Sequence, residues 1–157
     1  MAKILIAGCG YVGEELANLL LADGHEVWGL RRNPRSLRAG IEIITADLAQ
    51  PEDLRDLPGG LDTVFYLVSP NGSEDALYRR AYVEGLRGLI DALHQQRQKP
   101  RLLFVSSTAV YGQSDGEWVD ESSEVAPAHW SGKRLLEGEQ LALQALPSSC
   151  VVRFGGI

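Results

Sequence analysis

Cysteine is scarce: the chain has two in 157 residues, Cys9 and Cys150. Both lie in apolar, strand-adjacent sequence without metal-ligand spacing. They read as reduced thiols of an intracellular, cytoplasmic protein, with no disulfide framework and no metal site. Positive charge is short as well. Fifteen Lys and Arg against 21 Asp and Glu leave a net charge of -6, which argues against general binding to nucleic acid. No apolar stretch is long enough to cross a bilayer, and no secretory signal precedes the first predicted strand, so no membrane partner is expected. Repeats and low-complexity tracts are missing too. What remains is an ordinary soluble composition, 45% hydrophobic and 23% charged, at a length usual for one domain.

The chain is organised around Ile4-Leu5-Ile6-Ala7-Gly8-Cys9-Gly10-Tyr11-Val12-Gly13. A short apolar run breaks into Gly-x-Gly-x-x-Gly, and an amphipathic run follows at once. That order is strand, tight turn, helix start, the phosphate-binding entrance of a dinucleotide fold. Gly8 permits the turn off the strand. Gly10 lets a pyrophosphate approach the backbone, and Gly13 lets the helix pack close to the strand. The free N–H groups at Tyr11, Val12 and Gly13, with the positive end of the helix dipole, then face the phosphates.

Further along, apolar strands alternate with helical patterns. Strands are expected at 3–7, 26–30, 41–45, 62–68, 102–106 and 150–154, and helices at 11–22, 74–97 and 131–146, with a short one opened by Pro51. In the first helix, Val12, Leu16, Leu19 and Leu20 predict the buried face. In the long helix, that face is predicted from Leu77, Ala81, Leu86, Leu89, Ile90 and Leu93. Alternation of this kind implies right-handed crossovers and an α/β fold: a doubly wound parallel sheet of Rossmann type, order 3-2-1-4-5-6, with helices on both faces. Ligands of such sheets sit beyond the carboxyl ends of the strands.

The motifs fall at those ends. After strand two, an acid about 20 residues past the first glycine would hold the ribose hydroxyls of NAD. Here Arg31 and Arg32 stand instead. Two guanidiniums suit a 2′-phosphate, so NADP is expected, with NAD as the alternative. Asp47 follows strand three; it is either an acceptor for the adenine amino group or the cap of the helix near Pro51. Leu67-Val68-Ser69-Pro70 ends strand four, where Val68 and Ser69 offer backbone along the nucleotide. Strand five ends in the hydroxyl-rich run Val105-Ser106-Ser107-Thr108-Ala109-Val110-Tyr111-Gly112. Lys133 opens the next helix at a place unfavourable to the helix dipole, a conflict that points to function.

In this order, the glycine loop, Asp47-Leu48, the run 105–112 and the Lys133 helix resemble the extended short-chain dehydrogenase/reductase superfamily. Within it they resemble the NAD-dependent epimerase/dehydratase family. The Gly-x-Gly-x-x-Gly loop is nearer the form of atypical members than the usual Gly-x-x-Gly-x-x-Gly. The resemblance implies an NAD(P)-binding domain of an oxidoreductase that moves hydride at a hydroxyl or carbonyl carbon of a small substrate, nucleotide sugars included. It implies Ser107 as the catalytic hydroxyl and Lys133 as the lysine that holds the nicotinamide ribose. The family tyrosine, four residues before that lysine, is replaced by His129, and an asparagine of the long helix by Tyr82. His129 as general acid/base, Tyr111 reaching in from the strand-five loop, and a non-catalytic NADP-binding sensor or regulatory module all follow as readings. Family members continue past the sixth strand into a substrate-binding region, so a fragment of a longer enzyme is expected. They also often dimerise through the helices matching 74–97 and 131–146.

Overall fold

The computed structural model describes residues 1–33 and 39–155. Its six strands are β1 (Lys3–Ala7), β2 (Glu26–Arg31), β3 (Glu42–Thr45), β4 (Thr63–Tyr66), β5 (Arg101–Ser107) and β6 (Cys150–Phe154). They form one sheet in the order β3-β2-β1-β4-β5-β6, with every pair parallel. This is the expected Rossmann-type topology, and the chain reverses direction of travel across the sheet between β3 and β4.

β1 sits centrally and divides its side chains between two cores, as a pleated strand must. Ile4 and Ile6 join Ala17, Val27 and Ile41 on one face. Leu5 and Ala7 join Val64, Tyr66, Leu89, Leu93 and Phe104 on the other. The first face is covered by α1 (Tyr11–Ala22), the second by α3 (Gly85–Gln95) and α4 (Trp130–Ala145).

Two packing details differ from the sequence pattern. The buried seam of α1 is Gly13 and Ala17, while Val12 is 42% and Leu19 67% exposed. The cause is close approach: a Cβ at Gly13 would lie 3.0 Å from the Gly8 carbonyl oxygen and 3.1 Å from Ile6 Cγ2. The helix therefore brings its smallest residues closest to the sheet, with Leu16 and Leu20 half-buried and packed against the core as expected, and Val12 and Leu19 turned outward. The long helix expected over 74–97 is three pieces: α2 (Asp75–Arg79), a π-helical turn (Arg80–Glu84) and α3. In the π turn the Gly85 N–H reaches back to the Arg80 carbonyl, inserting one residue into the ladder. The buried Tyr66 hydroxyl donates to the Ala81 carbonyl within that turn at 2.5 Å. The π turn presents Arg80 and Tyr82 towards the carboxyl ends of the strands, where they line one cleft with Tyr78 from the end of α2.

α4 approaches β5 through glycines. A Cβ at Gly138 would meet Phe104 Cζ and the Tyr82 carbonyl at 2.7 Å, and one at Gly132 would overlap the Ala109 carbonyl. This contact fixes the first turn of α4 beside the end of β5.

Candidate functional site

A cleft of about 640 Å³ opens beyond the carboxyl ends of β1 to β5, within the usual size of a cofactor site. The glycine loop forms its centre. The Gly8 and Cys9 N–H groups both donate to the Leu30 carbonyl at 3.0 Å, and Glu14 N–H opens the helix on Gly10 at 2.8 Å. Gly8 has φ +88°, and a Cβ there would lie 2.7 Å from the backbone of Leu67 and Val68. Gly10 differs: a Cβ would come no nearer than 4.0 Å to the protein. No side chain caps α1, so the N–H groups of Tyr11, Val12 and Gly13 have no helical acceptor. The loop is thus tied down behind and open in front, which fits a diphosphate. Burial pushes the Cys9 thiol pKa up, partly offset by the Arg31 charge.

The β2 and β3 ends form one side of the cleft. Arg31 is half-buried, and its Nε is buried with no hydrogen-bond partner among the described residues. Arg32 is exposed, and both line the cleft. Pro34 to Arg38 lie outside the described residues. Asp47 does not cap the helix near Pro51. The 3₁₀ turn Pro51–Leu54 starts from Gln50 with no side-chain cap. Asp47 instead accepts from Ala49 N–H at 3.0 Å, two residues on, and from Arg80 Nη2 at 2.7 Å. Burial works against this carboxylate. The Ala49 bond, the Arg80 bond and the charges of Arg80 and Arg32 outweigh it and hold the Asp47 pKa below the usual range. Leu48 lines the cleft and is buried in the core at 7% exposure. Val68 is half-buried and Ser69 exposed along the cleft wall.

At the β5 end, Ser107 Oγ accepts from Ala109 N–H at 3.2 Å and so caps a 3₁₀ turn, Thr108–Val110. Its own proton is left to donate. Ser106 lies on the opposite face of the strand, 4% exposed, with its Oγ unpartnered among the described residues. Tyr82 faces this end from the π turn, its ring tilted against Tyr78 and edge-on to Phe104 with centroids 5.6 and 6.3 Å away. Burial, then the neighbouring Tyr78, pushes its phenol pKa up to about 12.

The sequence-predicted residues of α4 lie apart from these. His129 occupies the cap position of α4 without capping it, and both His129 and Lys133 are exposed. Lys133 lines a shallow depression with Pro127 and Glu137, while Ser131 and Leu135 of the same helix line the main cleft. Trp130 packs edge-on against Tyr78, centroids 5.0 Å apart. Tyr111 is occupied on two sides: its hydroxyl donates to the Asp120 carbonyl at 2.7 Å and accepts from Arg153 Nη1 at 2.8 Å. Among the cleft residues, sequence reasoning missed Arg80, Tyr78 and Ser131, whose approach depends on the π turn and on the glycine seam of α4.

The topology and the open glycine loop define a nucleotide-binding α/β domain. Residues 4–131 match the NAD dependent epimerase/dehydratase family, and the chain belongs to that family. A solved structure from Methylobacillus flagellatus, provisionally named an NAD-dependent epimerase/dehydratase, is 41% identical with a TM-score of 0.81, covering 99% of this chain and 54% of its own. Protein YeeZ of Escherichia coli K12 is 30% identical over 100% of this chain and 59% of its own length. D-erythronate dehydrogenase of Cupriavidus necator is 30% identical over 90% of this chain and 49% of its own. The chain thus spans 49% to 59% of the length of these relatives. A short-chain dehydrogenase/reductase superfamily protein from Agrobacterium tumefaciens, solved with bound NAD, is 26% identical with a TM-score of 0.79, covering 97% of this chain and 48% of its own.

Proposed function

We propose that the chain is the NADP(H)-binding part of an oxidoreductase that acts at a hydroxyl or carbonyl carbon of a small hydroxylated substrate. The observation that supports NADP over NAD is the β2 end. Two arginines stand where an acid would serve NAD, and a buried guanidinium nitrogen of Arg31 has no partner among the described residues. A dehydrogenase among the relatives supports the redox class.

When bound, the nicotinamide ring accepts or donates a hydride. The loop amides of Tyr11, Val12 and Gly13 hold the diphosphate, which approaches past the bare Cα of Gly10; the Gly10 N–H itself is spent on the Gly8 carbonyl at 2.7 Å. Arg31 and Arg32 bind the 2′-phosphate, Asp47 and Leu48 border the adenosine, and the Val68-Ser69 backbone runs along the nicotinamide half. Ser107 Oγ donates its free proton to the substrate oxygen. In this reading the His129 imidazole takes or returns the proton of that oxygen and Lys133 holds ribose hydroxyls once the first turn of α4 brings both in from the exposed positions, outside the cleft lining, that they hold here. The relatives carry nearly as much chain again, and we place most substrate contacts there. Pairing of two copies through α2–α3 and α4 belongs to the same reading; Leu143 stands 56% exposed on α4.

A second reading, an NADP-binding sensor or regulatory module without turnover, is favoured by His129 in the tyrosine position and by the occupied hydroxyl of Tyr111. Calorimetric titration with NADPH and NADH side by side tests the cofactor. Arg31→Ala and Arg32→Ala are expected to weaken NADPH about ten-fold more than NADH, and equal weakening of both overturns the choice. Reduction of a carbonyl panel by a full-length version separates enzyme from sensor, and His129→Ala abolishes that turnover if the imidazole carries the proton.

A further inference from the structure

Three guanidiniums line the cleft among the described residues, Arg31, Arg32 and Arg80, against one carboxylate, Asp47. The surplus is two positive charges, in a chain whose net charge is -6. Three of these groups, Asp47, Arg80 and Arg32, act on one another, and Arg31 leaves the neighbouring strand end, where its charge acts on Cys9. β2 and β3 pair with Arg31 opposite Thr45, and Ala46 N–H donates to the Arg31 carbonyl at 3.1 Å. Asp47 is the next residue after Ala46. Arg80 comes from the far side, on the π turn, and its Nη2 meets Asp47 Oδ2 at 2.7 Å. Arg32 also acts on Asp47 through its charge.

The Arg80 fork is held but not saturated. Among the described residues it donates through Nη2 alone, and a guanidinium has five N–H donors. Its side chain is 40% exposed, open to the cleft. Asp47 is itself fixed, through Oδ1, by the Ala49 N–H. The carboxylate therefore orients Arg80 from behind and leaves Nε and Nη1 for a ligand. A phosphate monoester brings nearly two negative charges and three acceptor oxygens, which matches both the surplus charge and the free donors.

We propose that Arg80, carried on the π turn and oriented by Asp47, is a third guanidinium of the 2′-phosphate subsite and sets the preference for a phosphorylated ribose. The inference rests on the NADP reading above and adds to it a residue from a different element. It also assigns Asp47 a task, that of positioning Arg80.

The test is calorimetric titration of the 157-residue chain and its Arg80→Gln and Arg80→Lys variants. The ligands are NADPH, NADH, adenosine 2′,5′-bisphosphate and adenosine 5′-monophosphate, with thermal melts run alongside. Charge-assisted bonds at a partly exposed site predict that Arg80→Gln weakens NADPH and the bisphosphate about ten-fold. NADH and the monophosphate change less than about two-fold by the same argument, because neither carries the second phosphate. Arg80→Lys keeps the charge but not the fork and falls between. A wild-type preference for NADPH that survives Arg80→Gln unchanged overturns this inference alone. Equal weakening of NADPH and NADH also overturns it, since Arg80 then serves the shared adenosine or the fold. A wild-type chain that binds the two coenzymes alike overturns the NADP reading first.

Discussion

The Arg153 guanidinium forks onto the Glu139 carboxylate, Nε to Oε1 at 3.0 Å and Nη2 to Oε2 at 2.7 Å, and so joins β6 to α4. Glu139 is 2% exposed. A buried pair is weak evidence for stability, but breaking it strands a charge. Glu139→Gln is expected to cost about 3 kcal/mol in urea unfolding, near the low end for such pairs because Arg153 keeps some exposure. A Glu139→Leu, Arg153→Met double variant recovers most of that loss by the same argument. Single variants within about 1 kcal/mol of wild type contradict a stranded charge.

Arg153 extends this pair to Tyr111, whose ring it also covers at 4.9 Å. Through the Asp120 carbonyl, Tyr111 ties down the loop that follows β5. Tyr111→Phe is therefore expected to cost about 1 kcal/mol and to speed amide exchange around Asp120. NADPH affinity stays unchanged, because Tyr111 does not line the cleft. A Tyr111→Phe variant that folds as well as wild type but loses coenzyme affinity places the phenol in the site instead.

The glycine loop separates folding from binding within three residues. Gly8→Ala puts a Cβ 2.7 Å from backbone at φ +88°, so the variant is expected to lose folding outright or melt far lower. Gly10→Ala meets nothing within 4 Å save the Gly8 carbonyl at its edge. It is expected to melt within a few degrees of wild type and to bind NADPH at least ten-fold more weakly, because the methyl stands where the diphosphate approaches. Coenzyme titration alongside thermal melts reads both effects. Undiminished binding by Gly10→Ala removes the diphosphate from this loop.

The strands were legible because each apolar run is bounded by Gly, Pro or Asp and alternates with a helical pattern. The phosphate loop was legible because its glycines are local. The α1 seam was not, since the close approach at Gly13 outweighs the apolar count of Val12 and Leu19. The π turn was not, because Ala81, Gly85 and Leu89 keep ordinary helical spacing across it. The Arg80–Asp47 pair depends on that turn and bridges residues 33 apart. The Glu139–Arg153 fork depends on β6 lying beside β5 and above α4, which no local pattern states.

Acid should weaken the fold through three carboxylates. Asp75 is held below the ordinary range first by hydrogen bonds from Arg134, and Asp120 by the Ser122 and Ser123 hydroxyls. For Asp47, the opposing effect of burial is outweighed by Ala49 and Arg80. Each folded pKa lies below its unfolded value of about 3.9. Between those values the unfolded chain binds more protons, so stability rises with pH there. Their contribution is full above roughly pH 5 and is lost as pH falls through the folded values. Urea midpoints taken from pH 7 down to 3 are expected to drop below pH 5, and Asp75→Asn to flatten that drop. A wild-type midpoint level to pH 3 contradicts the three shifts together.

Ser106 gives the opposite sign of mutational effect. Its hydroxyl is buried at the floor of the β5 end with no partner among the described residues, and an unsatisfied buried polar group destabilises by about 1–3 kcal/mol. Alanine removes that group and leaves only a small void. Ser106→Ala is therefore expected to raise the unfolding free energy of the coenzyme-free chain, or leave it level, where most core substitutions lower it. The comparison must be repeated with saturating NADPH. If a ligand oxygen pairs with Ser106, the coenzyme stabilises wild type more than the variant, and the two melting curves draw together or cross. A Ser106→Ala variant destabilised by more than about 1 kcal/mol without ligand shows that a bound water already satisfies the hydroxyl. The β5 end then presents Ser107 alone to the ligand.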